Sequence, residues 1–155
     1  YLYNFAGQPW KAQARSREVM EKLYQPAPDG YCGDEDNGQT SAWFVFSAMG
    51  FYPVCPGTPQ YVLGSPLFES VELQLENGNT FRVSAAGNSP ENIYIQQASL
   101  NGKPHPYTWL DYDAVQAGGE RQFQMGAAPN REWATDAAAR PYSLSTDPEL
   151  ENYLK

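Results

Sequence analysis

The stretch Gly33-Asp34-Glu35-Asp36-Asn37-Gly38-Gln39-Thr40-Ser41-Ala42-Trp43-Phe44-Val45-Phe46-Ser47-Ala48-Met49-Gly50 holds a turn, a helix and a stop. Three consecutive acids sit between glycines, and from about Gly38 to Met49 the residues read as a helix. Gly50 closes it as a left-handed C-cap. After Ser41 this helix has almost no polar face, so it is expected to be buried on nearly all sides and to need other elements around it. In the turn before it, Asp34 and Asp36 are two residues apart, a spacing that can present both side chains to one side of an extended or turn backbone. Asp36 and Gln39 also fit a capping box, in which the first side chain accepts an orphan amide and the fourth reaches back. The two roles are compatible. A carboxylate held by helix N-terminal amides is stabilised in its charged form, as a general base requires.

Upstream, Pro9 suits the first turn of a helix. Residues 10–24 keep apolar side chains at Trp10, Ala14, Val19, Met20, Leu23 and Tyr24, and the turn chemistry of Pro26-Ala27-Pro28-Asp29-Gly30 ends the segment. Downstream of Gly50 the texture changes. Tyr52 to Pro59 reads as rigid loop, and strands are expected at 61–64, 70–75, 80–85, 93–100, 109–112 and 122–125. Hairpin turns fall at Asn77-Gly78 and Asn101-Gly102. Alternation such as Val71-Glu72-Leu73-Gln74-Leu75 points to an antiparallel sheet or sandwich. The organisation is therefore α+β: a helical segment over 1–50, an antiparallel β region over 51–133, and an Ala- and Pro-rich tail over 134–155, poorly structured apart from a last helical turn over 149–154. There is no internal repeat.

Composition narrows the function. The net charge is −8, from 18 acids against 10 bases, which argues against nucleic acid or an anionic membrane surface as partner. The longest apolar run, Ala42 to Met49, is too short to span a bilayer. Aromatics make up 14% of the chain and 11 of them are Tyr, side chains with an apolar face and a polar handle that suit sugars as well as packing. Two carboxylates rimmed by aromatics are the minimum equipment of a glycoside hydrolase base. Cys32 and Cys55 could bridge only if their loops meet. His105, in Lys103-Pro104-His105-Pro106, reads as an exposed turn residue. The chain opens on Tyr1-Leu2-Tyr3-Asn4-Phe5, with no initiator Met and no signal-peptide pattern, so we read it as a piece of a longer polypeptide.

The run Gly33 to Val54 resembles glycoside hydrolase family 92, the calcium-dependent exo-acting α-mannosidases. Tyr1 to Trp10, Tyr61 to Glu69, Glu91 to Gln96, Leu100 to Lys103 and Met125 to Asn130 resemble the family too, in the same order, so the likeness covers residues 1 to about 133. It implies the C-terminal portion of a much longer enzyme: closing helices of an (α/α) barrel, joined to a β region, and hydrolysis with inversion. By position in the motif, Asp36 resembles the general base and Asp34 its acidic companion, which shares the proton or orients the water. The resemblance puts the general acid, a glutamate, and most calcium ligands upstream, so no metal ligand is assigned within this chain. The isolated chain is accordingly expected to be inactive. Gln39 and Trp10 are the candidate substrate contacts. The implied partners are mannose-containing glycans and the remainder of the polypeptide, and the implied location is secreted, periplasmic or cell-surface. The chain departs from the family with Asn37 where Cys is common, Thr40 where Met is common, and Tyr31-Cys32 in place of Leu-Pro. A rival reading is a non-catalytic carbohydrate-binding β-sandwich module, with the acids serving only as caps. An absent barrel wall would leave the helix face around Val45 and Met49 exposed and ready for a partner.

Overall fold

The architecture is that of a computed structural model, which describes residues 1–147; the helical turn expected over 149–154 lies outside the described residues. A single 3₁₀ turn, Leu2–Asn4, leads into α1, Pro9–Leu23, with Pro9 in its first turn as its fixed φ favours. The buried face of α1 differs from the apolar one the sequence suggested. It consists of Ala12, Gln13, Ser16, Arg17 and Met20, while Leu23 is exposed. The helical period is right but the face is polar, because the loops beneath α1 offer backbone groups rather than apolar side chains. Gln13 Oε1 accepts from the Ile95 amide at 3.0 Å, Arg17 Nη2 donates to the Ser89 carbonyl at 3.1 Å and Nη1 to that of Pro66. Asn4 Nδ2 donates to the Leu63 carbonyl at 2.7 Å. Paired in this way, buried polar groups cost little and fix one docking geometry.

α2 spans Gln39–Met49 and stops at Gly50, whose φ of 101° and N–H bonds to the Phe46 and Ser47 carbonyls make the expected C-cap. Only its last turn, Ser47 to Met49, is buried, and Val45 is 55% exposed. Burial on nearly all sides is thus not met among the described residues, whose elements cover one end of α2 and leave its outer face open. Met49 is buried against the sheets, whereas it had been expected on the open face.

The strands are β1 (Phe51–Tyr52), β2 (Gln60–Leu63), β3 (Ser70–Gln74), β4 (Thr80–Ala86), β5 (Tyr94–Leu100), β6 (Lys103–Pro104), β7 (Trp109–Asp111) and β8 (Gly119–Gly126), with a short helix α3 (Tyr112–Gln116) before β8. They form two sheets, one in the order β1-β2-β7 and one in the order β3-β4-β8-β5-β6. The expected antiparallel sheet or sandwich needs correction at one pairing. β8 inserts between β4 and β5 and runs parallel to β4, Phe81 opposite Gly119 through Ala86 opposite Gln124. Parallel pairing needs a long crossover, and residues 87–118 supply one. The inner faces meet in one core of Phe51, Leu63, Phe81, Val83, Ile95, Leu110, Phe123 and Met125, to which α2 contributes Met49.

Residues 134–147, read as the start of a poorly structured tail, are instead tied down. The Ala139 carbonyl accepts from both the amide and the hydroxyl of Thr108, at 2.9 and 2.8 Å, and the Tyr142 amide donates to Gln60 Oε1 at 2.9 Å. Ala139 is buried. Low hydrophobicity hid this because the tail is held through its own backbone groups and by small buried residues such as Ala134 and Ala139.

Candidate active site

The acidic loop hangs from the end of α1. Tyr24 leaves the helix in an extended conformation and forms an antiparallel bridge to Tyr31. The six residues between them close on themselves: the Gln25 amide donates to the Gly30 carbonyl at 2.8 Å and the Gly30 amide to that of Ala27 at 3.0 Å. A Cβ on Gly30 would stand 1.9 Å from the Gln25 carbonyl oxygen, so the pinch needs glycine. From Tyr31 the chain passes through Gly33 (φ 87°), Asn37 (φ 53°) and Gly38 (φ 81°), three left-handed positions that turn it into α2.

The turn changes which acid caps the helix. The N-cap residue is Gly38, without a side-chain cap of its own, so the capping box read at Asp36 and Gln39 is not formed. Glu35 does the work. Its Oε2 accepts from the Ser41 amide at 3.1 Å, and Ser41 Oγ lies 3.1 Å from both that oxygen and the Tyr31 hydroxyl. A carboxylate on amides of the first turn satisfies an orphan donor and meets the positive end of the helix dipole. The sequence signal was present in Asn37-Gly38: two consecutive left-handed residues move the helix start two places on, from Asp36 to Gly38, and put Glu35 within reach of the first turn.

With Glu35 tied down, its neighbours Asp34 and Asp36 are both exposed. Their fixed contacts are local: the Asp36 carbonyl accepts from the Gln39 amide at 3.0 Å, Asn37 Nδ2 lies 3.4 Å from Asp36 Oδ1, and Thr40 Oγ1 lies 3.4 Å from the Asp34 carbonyl. Gln39 is exposed beside them, at the first position of α2. Trp10 is half-buried in the first turn of α1, about 20 Å along the helix from Tyr24 at 1.5 Å per residue. The structure therefore places Asp34 and Asp36 on the acidic loop with Gln39 next to it at the start of α2, and sets Trp10 apart.

An aromatic cluster absent from the sequence-based site supports the loop from below. Tyr24 stacks on Trp43 with ring centroids 5.7 Å apart and planes at 12°, and packs on Phe44 at 4.9 Å and Tyr31 at 5.6 Å. Its hydroxyl donates to the Thr40 carbonyl at 3.2 Å. Burial, with the nearby Cys32 and Glu35, raises the Tyr24 hydroxyl above its ordinary range, so it stays a neutral donor. Tyr1 extends the cluster, meeting Trp43 and Tyr52 and donating to Ser47 Oγ at 2.9 Å. Cys32 and Cys55 are exposed and free. Among the described residues no three His, Cys, Asp or Glu side chains converge to hold a metal ion, and calcium asks for six to eight oxygen ligands. His105, expected as an exposed turn residue, is half-buried instead, and desolvation with the Arg121 charge pushes it down to about 4.

A concavity of about 600 Å³ lies on the five-stranded sheet, between Gln97, Ser99, Gln122, His105 and Trp133. Taken as a sugar site it would favour the rival binding-module reading. The β region is not a free-standing module, however, since Asn4, Gln13, Arg17 and Met49 of the helical segment are built into it.

Residues 1–127 match the family model described as the glycosyl hydrolase family 92 catalytic domain. The chain is 54% identical to a family 92 inverting mannosidase of Bacteroides thetaiotaomicron, with a TM-score of 0.89 over 94% of this chain and 20% of that one. A second family 92 α-mannosidase of that organism, also solved in complex with mannoimidazole, is 37% identical, with a TM-score of 0.89 over 92% of this chain and 19% of that one. An uncharacterised secreted glycosidase of the fungus Arthroderma benhamiae is 30% identical over 93% of this chain and 19% of its own length. The chain thus spans about a fifth of the length of the relatives it matches.

Proposed function

The chain belongs to glycosyl hydrolase family 92, and on that premise we propose that it is a portion of an inverting, exo-acting α-mannosidase that supplies the general base. The observation carrying this reading is the arrangement of the acidic loop. Glu35 is consumed as the cap of α2, and the carboxylates on either side of it are left exposed at the head of a braced helix.

In an inverting hydrolysis one carboxylic acid protonates the leaving oxygen while a carboxylate on the opposite face of the sugar takes a proton from the attacking water. Asp36 receives that proton at its carboxylate, and Asp34 orients the water. Gln39 contacts a sugar hydroxyl. The aromatic cluster under the loop keeps the pair from drifting, and misplacement by about 1 Å can cost about 10²-fold in rate. The general acid comes from the remainder of the polypeptide, as do the other helices of an (α/α) barrel that α1 and α2 would close. The calcium of the resemblance has no site assembled from this chain's described residues, so no step is derived through it. Substrates are glycans with terminal α-linked mannose. Secretion or surface display is in keeping with the secreted relative.

The test uses the full-length parent polypeptide with Asp36→Asn against wild type, assayed on an α-mannobioside with and without a calcium chelator. The expected result is a loss of about 10³ in kcat for the variant and chelator sensitivity in wild type. Near-normal turnover by Asp36→Asn would remove the base assignment and leave the acidic loop a purely structural cap.

A further inference from the structure

The outer face of the five-stranded sheet carries neutral polar groups in rows. Ser84 on β4, Gln122 on β8 and Ser99 on β5 stand opposite one another in register, and Ala86, Gln124 and Gln97 form the next row. Three strands at their ordinary spacing make each row roughly 10 Å wide, with about 7 Å between the rows. Both rows line the concavity of about 600 Å³, and His105 and Trp133 line it too. Those two rings are fixed beside β5 by backbone groups. The His105 amide donates to the Ala98 carbonyl at 3.0 Å; Asn130 accepts from the Trp133 amide at 3.1 Å and donates to the Gln96 carbonyl at 3.1 Å.

The polar rows are partly preset. Ser99 Oγ donates to Gln122 Oε1 at 3.0 Å and Gln122 Nε2 donates to Glu120 Oε2 at 3.0 Å, so the Gln122 amide is held in one orientation. It keeps a second N–H and a second lone pair to offer. The Gln97 side chain is exposed and makes no hydrogen bond among the described residues. None of the described residues lining the concavity is charged near neutral pH, since burial, with the Arg121 charge, holds His105 down to about 4. Recognition by ion pairing is therefore not on offer. Amides and hydroxyls in rows suit a guest whose polar groups each donate and accept, and Trp133 adds an aromatic surface for an apolar one. A saccharide joins the two, with hydroxyls around its ring edge and C–H groups on its faces. The remainder of the polypeptide is a poorer occupant, because the face that calls for protein cover is the apolar one of α2.

We propose that this concavity binds a neutral oligosaccharide, as a second glycan site that holds one arm of a branched substrate while the acidic loop acts on another. That the sugar is a mannose glycan rests on the mannosidase reading; the site itself does not. It adds to catalysis rather than replacing it, since Asn4, Gln13, Arg17 and Met49 fasten the helical segment to the same β region. The probe is an α-mannotrioside with sulfur in place of its glycosidic oxygens, which resists hydrolysis, and the protein is the parent polypeptide. Soaked crystals should show a sugar ring over Gln97 and Gln122 beside Trp133. Calorimetric titration should show binding there that Gln97→Ala and Gln122→Leu each weaken about three- to tenfold, as the loss of one or two hydrogen bonds predicts. Isotherms that neither substitution changes overturn the site, as do side chains of the remaining polypeptide filling the concavity. Density without a titratable step marks binding at crystal concentration only and also overturns it. Should Gln122→Leu fail to fold, Gln97→Ala decides, because its side chain is exposed and unbonded. No turnover is read, so a failed base assignment at Asp36 leaves this outcome standing, and an empty sheet site leaves the Asp36 test standing.

Discussion

Adjacent acids in the loop have separable work, and substitution should separate them. Glu35 holds the Ser41 amide and hydroxyl, so Glu35→Gln or Glu35→Ala removes a cap and should cost about 1 kcal/mol of stability, with a loss of turnover following from the loosened loop. Asp36→Asn touches no cap and should leave the melting temperature unchanged while turnover falls. Calorimetry and kcat measured on both variants in the parent polypeptide check the pair; a stability loss in Asp36→Asn equal to that in Glu35→Gln would return the cap to Asp36. His105 carries a second prediction. Its folded-state value of about 4 lies below the ordinary 6.5, through burial first and the Arg121 charge second. Above pH 6.5 neither the folded nor the unfolded state holds the proton. Between 6.5 and 4 the unfolded state takes it up and the folded state does not, so stability falls with pH across that window and the decline stops below it. His105→Asn should flatten that part of the melting-temperature profile, and an unchanged slope would count against the burial argument.

The loop from Tyr24 to Tyr31 is the element on which the proposed site depends. Because Gly30 has no room for a Cβ beside the Gln25 carbonyl, Gly30→Ala should force the pinch open and displace Tyr31, the residue that meets both Tyr24 and Ser41. The expected outcome is a fall in kcat of about 10²-fold with far-ultraviolet circular dichroism unchanged; wild-type turnover would mean the loop does not position the acids. This element also shows what the sequence could and could not disclose. α2, its glycine stop and the hairpin at Asn77-Gly78 were legible, since each is specified by local chemistry: an apolar helical run, a left-handed cap, a turn needing φ above zero. The Tyr24–Tyr31 bridge was not, because its backbone bonds carry no side-chain signature. Nor was the insertion of β8 beside β4, where a pattern of alternating residues identifies a strand but not its neighbour or direction. The polar face of α1 misled for a related reason, since Gln13 and Arg17 look solvent-facing until the carbonyls and amides they serve are in place. Around the acidic loop, the aromatics rimming the acids were legible as a class, but which of them lie beneath the loop was not, because the Tyr24–Trp43 stack and the Tyr24–Phe44 contact join α2 to the residue after the end of α1.

The surface left open by α1 and α2 concerns the polypeptide as a whole. Leu23 and Val45 are 46% and 55% exposed, while the final turn of α2 is packed into the sheets. A helix so poor in polar residues is ordinarily covered, and the chain spans about a fifth of its relatives' length, so the remainder of the polypeptide is the natural cover for that face. Two consequences can be measured separately. On the proposed division of labour, in which the general acid comes from the remainder of the polypeptide, the 155-residue chain alone should hydrolyse an α-mannobioside at least about 10² to 10⁴ more slowly than the parent; comparable rates would refute that division. In the parent, Val45→Asp would place an unpaired charge in a buried seam and should destabilise it by about 3 kcal/mol or more, whereas in the isolated chain the same change meets water and should be nearly neutral or improve solubility. Equal effects in both contexts would mean that the outer face of α2 is solvent-facing in the whole enzyme. The acidic loop would then sit at an open edge rather than inside a closed barrel, and the general acid would have to reach it across that edge.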